Sequence, residues 1–150
     1  MFVLPILVAW LWFKQNRKEK IRLALAVIIA GVIAYALAKL AGHLHDNPRP
    51  FVSDGTPALI NHANDNGFPS EHTVLAMTLT TLIYFYKRWV ATVALILTIL
   101  VGWGRVAAHV HHGLDILVGI GIGFVSGLLG YWLSRLALDS QKSKQSPDKL

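Results

Sequence analysis

The sequence predicts an all-α fold, a polytopic transmembrane helical bundle of about five membrane helices. Three observations predict it. Of 150 residues, 54% are hydrophobic and 15% charged, against about 25% charged in an ordinary soluble domain. The apolar residues fall into five stretches, the first of them short, and the charged residues collect between them. A chain of this size keeps much of its surface exposed on folding, so it cannot hide that apolar content in one aqueous core. A bilayer can.

The first stretch, residues 1–13, reaches at about 1.5 Å per residue only some two thirds of a ~30 Å hydrocarbon core. No basic residue precedes it and no small-residue cleavage site follows, so it reads as a helix rather than a signal-peptide core. Residues 14–22 continue that helix toward the headgroups. Residues 21–44, 89–108 and 114–138 are each long enough to span, and residues 72–86 span if their ends snorkel. Gly119, Gly123 and Gly127 fall four apart in the last stretch and Gly130 follows, a small-residue face suited to close helix packing. Residues 46–69 are rich in Pro, Asn, Asp and Gly and read as a loop with turns rather than a sixth helix. A loop of that length tends to be functional. Residues 1–138 thus form one membrane domain, and residues 139–150 read as a solvated, disordered cytoplasmic tail.

Charge assigns an orientation. Lys14, Arg17, Lys18, Lys20, Arg22, Lys87, Arg88, Arg135, Lys142, Lys144 and Lys149 fall on one side if five helices alternate, and the positive-inside rule makes that side cytoplasmic. Lys39, Arg49, Arg105, all seven histidines, and Asp46, Asp54, Asp65, Glu71 and Asp115 fall on the other. The net charge of +6 therefore reflects topology and gives no reason to expect nucleic acid. With no cysteine, disulfides, thiolate metal sites and cysteine nucleophiles are excluded.

Three polar clusters sit where apolar stretches meet the outer phase: residues 43–51 (HLHDNPRPF), 68–73 (FPSEHT) and 104–115 (GRVAAHVHHGLD). Ionisable residues at such positions are expensive and usually functional. Arg49 and Arg105 are permanent cations whose planar forks suit phosphate or carboxylate oxygens. Ser70 precedes an apolar run as an N-cap, so free N–H groups and a positive dipole end offer a phosphate seat, with His72 in the first turn. His111 and Asp115 are one helical turn apart, a spacing at which the carboxylate can fix the imidazole tautomer. Phosphoryl transfer needs charge neutralisation, an in-line nucleophile and an acid for the leaving oxygen; the arginines and helix tip, His111 and His72 supply these in turn. No spare carboxylate pair suggests two-metal hydrolysis. His43, His45, His62, His109 and His112 read as surface or packing histidines, and Phe51 and Thr73 as structural.

At these clusters the sequence resembles the type-2 phosphatidic acid phosphatase family, whose fold is shared with vanadium haloperoxidases. Arg49-Pro50 matches the family's first motif, Pro69-Ser70-Glu71-His72 its second, and Arg105 with His111 and Asp115 its third, with the R-x5-H-x3-D spacing intact. The resemblance implies that His111 attacks phosphorus and is transiently phosphorylated, Asp115 orients it, and His72 protonates the leaving group. It implies that Arg49, Arg105, Ser70 and the backbone around Glu71 hold phosphoryl oxygens, with no cofactor and no metal. Three departures stand out. Gly42 occupies the place of the first motif's lysine, Lys39 lying one turn earlier; Glu71 replaces a glycine; Gly104 replaces a serine. Many relatives have six helices, and the first is the one expected to be missing here.

The acidic second motif resembles the undecaprenyl-diphosphatase branch. It implies a lipid phosphatase of the cell (inner) membrane, with the bilayer and a membrane lipid phosphate as partners and its site on the extracytoplasmic face. Undecaprenyl diphosphate is the expected substrate; phosphatidic acid, phosphatidylglycerol phosphate or a lipid A phosphate are the alternatives. The sequence sets no oligomeric state. Two competing classes are a metal-binding membrane protein using His43, His45, His109, His111 and His112, and a non-catalytic scaffold of the same fold.

Overall fold

The computed structural model describes residues 3–144. Its elements are α1 (Val3–Lys14), α2 (Arg17–Leu44), the single turn α3 (Pro50–Ser53), α4 (Glu71–Tyr86), α5 (Arg88–Ala107) and α6 (Gly113–Lys144). Helices α2, α5 and α6 are long and apolar enough to cross a membrane, and α1 is a shorter apolar helix. Helix α4, at 16 residues, is shorter than the ~20 that span a bilayer untilted.

Two boundaries correct the sequence reading. Residues 14–22 do not prolong α1. Asn16 breaks the chain there and caps α2, its side chain accepting from Glu19 N at 3.0 Å, the usual work of an Asn with extended backbone at a helix start. The resulting α1–α2 corner is held by Trp12 Nε1, which donates to Lys20 O at 3.0 Å. Inside the loop between α2 and α4, Pro50 opens the extra turn α3, where its missing N–H costs nothing. Helix α6 runs on to Lys144, so the start of the expected tail is helical; residues 145–150 lie outside the described residues.

The bundle buries small side chains and turns large ones outward. Ala26, Ala30, Ala34 and Ala38 of α2 are buried while Ile28, Val32 and Tyr35 of the same helix are exposed. That inversion is expected where lipid, rather than water, surrounds the helices. The glycine face of α6 explains the close packing. A Cβ on Gly123 would meet Val74 O and Met77 Cβ, one on Gly127 would lie 2.6 Å from Thr81 Cβ, and one on Gly130 2.6 Å from Ala30 Cβ. Helix α6 is thereby pressed against α4 and α2 together. Between α4 and α5 the buried hydroxyls of Thr80 and Thr98 pair at 2.8 Å.

At the end away from the histidines, Arg22 is buried and hydrogen-bonded to Glu19 Oε1 at 2.7 Å and to Asp139 Oδ1 at 2.5 Å. One residue read from sequence only as a topology charge therefore also ties α2 to α6.

Candidate active site

At the other end the chain between α2 and α4 folds over the start of α6. Asn66 fastens it: its amide nitrogen donates to Gly42 O at 2.9 Å and His45 O at 3.0 Å, while its oxygen accepts from Asn47 N and Phe68 N. Four main-chain groups left free by the end of α2 and the loop are satisfied by one side chain. Asp54 accepts from Thr56 N at 2.8 Å and pairs with His109 Nε2 at 2.9 Å, and these contacts hold its carboxyl below the ordinary value. His109 sits at φ 61°, the left-handed position that ends a helix, and one that His tolerates better than most residues.

Beneath this loop lies a cavity of about 450 Å³ lined by Lys39, Arg49, Glu71, His72 and His111, with His43, His62 and Asp65 beside them. His111 is 3% exposed. Its Nδ1 lies 2.9 Å from Gly67 O and 3.4 Å from Asp115 Oδ2. A carbonyl only accepts, so Nδ1 carries the proton and Nε2 keeps its lone pair. That lone pair faces the Arg49 guanidinium, Nη1 lying 3.2 Å away.

Arg49 is itself fixed. Its Nη1 donates to Val110 O at 2.9 Å and its Nε to Asp65 Oδ1 at 2.7 Å. Burial opposes ionisation of Asp65, but the hydrogen bond and charge of Arg49 outweigh it and hold the carboxyl below its usual value. Asp115 is fully buried behind His111; Oδ1 accepts from Asn47 Nδ2 at 2.7 Å and Oδ2 from His112 N at 2.8 Å. Each carboxylate oxygen thus has its own donor, as a buried charge requires.

Arg105 keeps two buried guanidinium nitrogens, Nε and Nη2, without a hydrogen-bond partner. Its charge reaches His72, His62 and Arg49. Arg105 is half-buried and is not among the residues that line the cavity, but its two unmatched nitrogens leave the hydrogen bonding of this cation incomplete, which costs free energy. Ser70 takes the N-cap position of α4 as expected, but its hydroxyl caps no backbone N–H. It is fully buried, accepts from Thr73 Oγ1 at 3.1 Å, and its N–H donates to Asp115 O. Ser70 therefore braces α4 against α6 and does not line the cavity.

Lys39 and Glu71 meet at the rim, Nζ to Oε1 at 3.2 Å. Position 42 is closed to any side chain, since a Cβ there would lie 2.8 Å from Phe68 O. Lys39, one turn earlier, lines the cavity and is paired with Glu71. The five histidines of the metal-site alternative are dispersed: His45 sits against Phe68, His109 on Asp54, and His112 beside Asn47. Among the described residues no three His, Asp or Glu side chains are grouped to hold a metal ion.

Sequence reasoning missed Asn47, Asn66 and Gly67, and it read His62, which lines the cavity, as a surface or packing histidine. Asn47 stood inside the quoted first cluster, and the Asn64–Gly67 run signals a turn. The main-chain acceptor at Gly67 has no residue signature at all.

A model of the PAP2 superfamily matches residues 19–138. The bacitracin transport permease protein BcrC of Bacillus licheniformis is 34% identical over 133 residues, covering 88% of this chain and 65% of its own length. The putative undecaprenyl-diphosphatase YbjG of Escherichia coli (strain K12) is 31% identical over 130 residues, 84% of this chain and 64% of its own length. The chain thus spans just under two thirds of these two relatives. The crystal structure of Aquifex aeolicus LpxE superposes with a TM-score of 0.71 at 28% identity, over 86% of this chain and 76% of that one.

Proposed function

We propose, on the premise that the chain belongs to the PAP2 superfamily, that this multi-pass membrane protein is a lipid phosphatase working through a phosphohistidine on His111. The observation that carries the reading is the state of His111: Nδ1 is tied to Gly67 O, and Nε2 presents a lone pair beside the buried Arg49 cation.

In the first step the phosphoryl oxygens take over the guanidinium of Arg49 and the unpartnered nitrogens of Arg105. Nε2 of His111 forms a bond to phosphorus as the bond to the leaving oxygen breaks, and His72 gives that oxygen its proton. In the second step water attacks the phosphohistidine, His72 accepts a proton from it, and inorganic phosphate leaves with His111 restored. Asp115 stabilises the imidazolium character of His111 while its charge develops. Ser70 supports α4 from behind, and Lys39 with Glu71 sets the charge of the entrance.

The substrate we favour is undecaprenyl diphosphate, cleaved to the monophosphate. The relative named as a putative undecaprenyl-diphosphatase and the charged entrance on α2 and α4 support it. The basic runs at the opposite end support an extracytoplasmic site in the cell membrane. Residues 1–138 then form the membrane domain, and residues 139–150 a cytoplasmic extension. Purified protein given undecaprenyl diphosphate, phosphatidic acid and phosphatidylglycerol phosphate in separate micelles should release inorganic phosphate fastest from the first. Release from none of them would end the phosphatase reading; faster release from a monoester would reassign the substrate.

A further inference from the structure

We propose that His62, on the loop between α3 and α4, is a further phosphoryl-binding residue that donates from Nδ1 to an oxygen of the group held by Arg49 and Arg105; this rests on the phosphatase reading above.

His62 lines the same cavity as His111 and His72. Its ring stands edge-on to that of His111, centroids 6.3 Å apart, so the two imidazoles border the same part of the cavity. Its Nδ1 is buried without a hydrogen-bond partner. A backbone hydrogen bond with Ala63 acts on the ring and favours its protonated form, while Nδ1 has no partner. Of the five such side-chain nitrogens among the described residues, three belong to His62 and Arg105, and the Arg105 charge acts on His62. A buried N–H left unmatched costs free energy unless a ligand completes it.

The loop that carries His62 is held rather than free. Leu59 N donates to Ala108 O at 3.1 Å, Asp65 binds Arg49 at 2.7 Å, and Pro48 bridges to Asn66. The ring is therefore delivered to the cavity by a segment fastened on both sides of it. Burial, and then the Arg49 and Arg105 charges, push its pKa down. A neutral imidazole donates one proton without adding a third positive charge beside two arginines, so it completes an anion site without raising the repulsion in the empty one.

Orthovanadate, a phosphate analogue that binds without turnover, tests this. His62→Phe keeps the ring shape and removes the donor; His62→Asn keeps an N–H close to Nδ1. The phenylalanine variant should bind vanadate about tenfold more weakly, the loss of one hydrogen bond to a charged group, and the asparagine variant should recover most of that. Phosphate release should show the loss chiefly in KM. Equal vanadate affinity in wild type and His62→Phe would overturn the proposal while leaving the phosphatase reading standing. A wild type that neither binds vanadate nor releases phosphate would overturn both.

Discussion

His111 donates its Nδ1 proton to the main-chain carbonyl of Gly67 at 2.9 Å, half an ångström closer than its approach to Asp115 Oδ2 at 3.4 Å. The backbone therefore fixes the tautomer, and the carboxylate adds charge. Where a carboxylate alone holds a catalytic histidine, its amide variant loses about 10⁴ in kcat because the wrong tautomer forms. Asp115→Asn should lose less here, about 10²-fold in kcat with little change in KM. Phosphate release from a lipid diphosphate measures it. A loss as deep as that of His111→Ala would mean that Gly67 does not hold the ring.

Much of this arrangement was legible in the sequence, and the reason is physical. Arg105, His111 and Asp115 lie within one corner, and short chain separation brings the last two close, although α6 begins only at Gly113 and His111 precedes it rather than sharing its helical face. Helices α2, α5 and α6 announced themselves by length and apolarity. The contacts that escaped join residues far apart in the chain: Gly67 with His111, Asn47 with Asp115, Asn66 with the end of α2. Two of them use main-chain carbonyls, which every residue has, so no residue type could mark them. Asn16 escaped for another reason: a single polar residue in a basic run looks like one more headgroup contact until the turn it caps is seen.

The glycine face of α6 makes paired predictions. Gly123→Ala drives a methyl group into Val74 O and Met77 Cβ, whereas Gly121→Ala has nothing within 4 Å to meet. The first should destabilise by about 1–3 kcal/mol through overpacking. The second should be neutral or stabilising by up to about 1 kcal/mol. Thermal unfolding in one detergent compares them; similar midpoints would remove the close α4–α6 contact from the account.

Lys39 and Glu71 are 59% and 72% exposed in their side chains, and an ion pair in such water contact adds little stability. Glu71→Gln and Lys39→Ala should leave the unfolding midpoint almost unchanged. Their effect belongs at the entrance: Glu71→Gln should lower KM for an anionic lipid about two- to fivefold and Lys39→Ala raise it similarly, both effects shrinking in high salt. Midpoints that move while KM does not would make the pair a structural clasp.

The pH dependence separates activity from stability. Attack needs His111 neutral and leaving-group protonation needs His72 charged, so the rate should be bell-shaped; a flat profile from pH 5 to 9 would contradict the pair. Stability depends on further groups besides these. His62 has a folded pKa below its ordinary value of 6.5, because burial and the two arginines oppose its charge. Below about pH 6.5 the unfolded chain therefore binds a proton there that the folded chain does not. Its contribution is present above that pH and lost as pH falls toward the folded value. Asp54 and Asp65 are also depressed, but their contributions fade only below the carboxylate range, near pH 4, and stay constant from pH 5 upward. The unfolding midpoint should accordingly fall between pH 7 and 5 in the wild type and fall less in His62→Asn. Identical slopes in the two proteins would show that His62 is as free to take a proton in the folded cavity as in the unfolded chain.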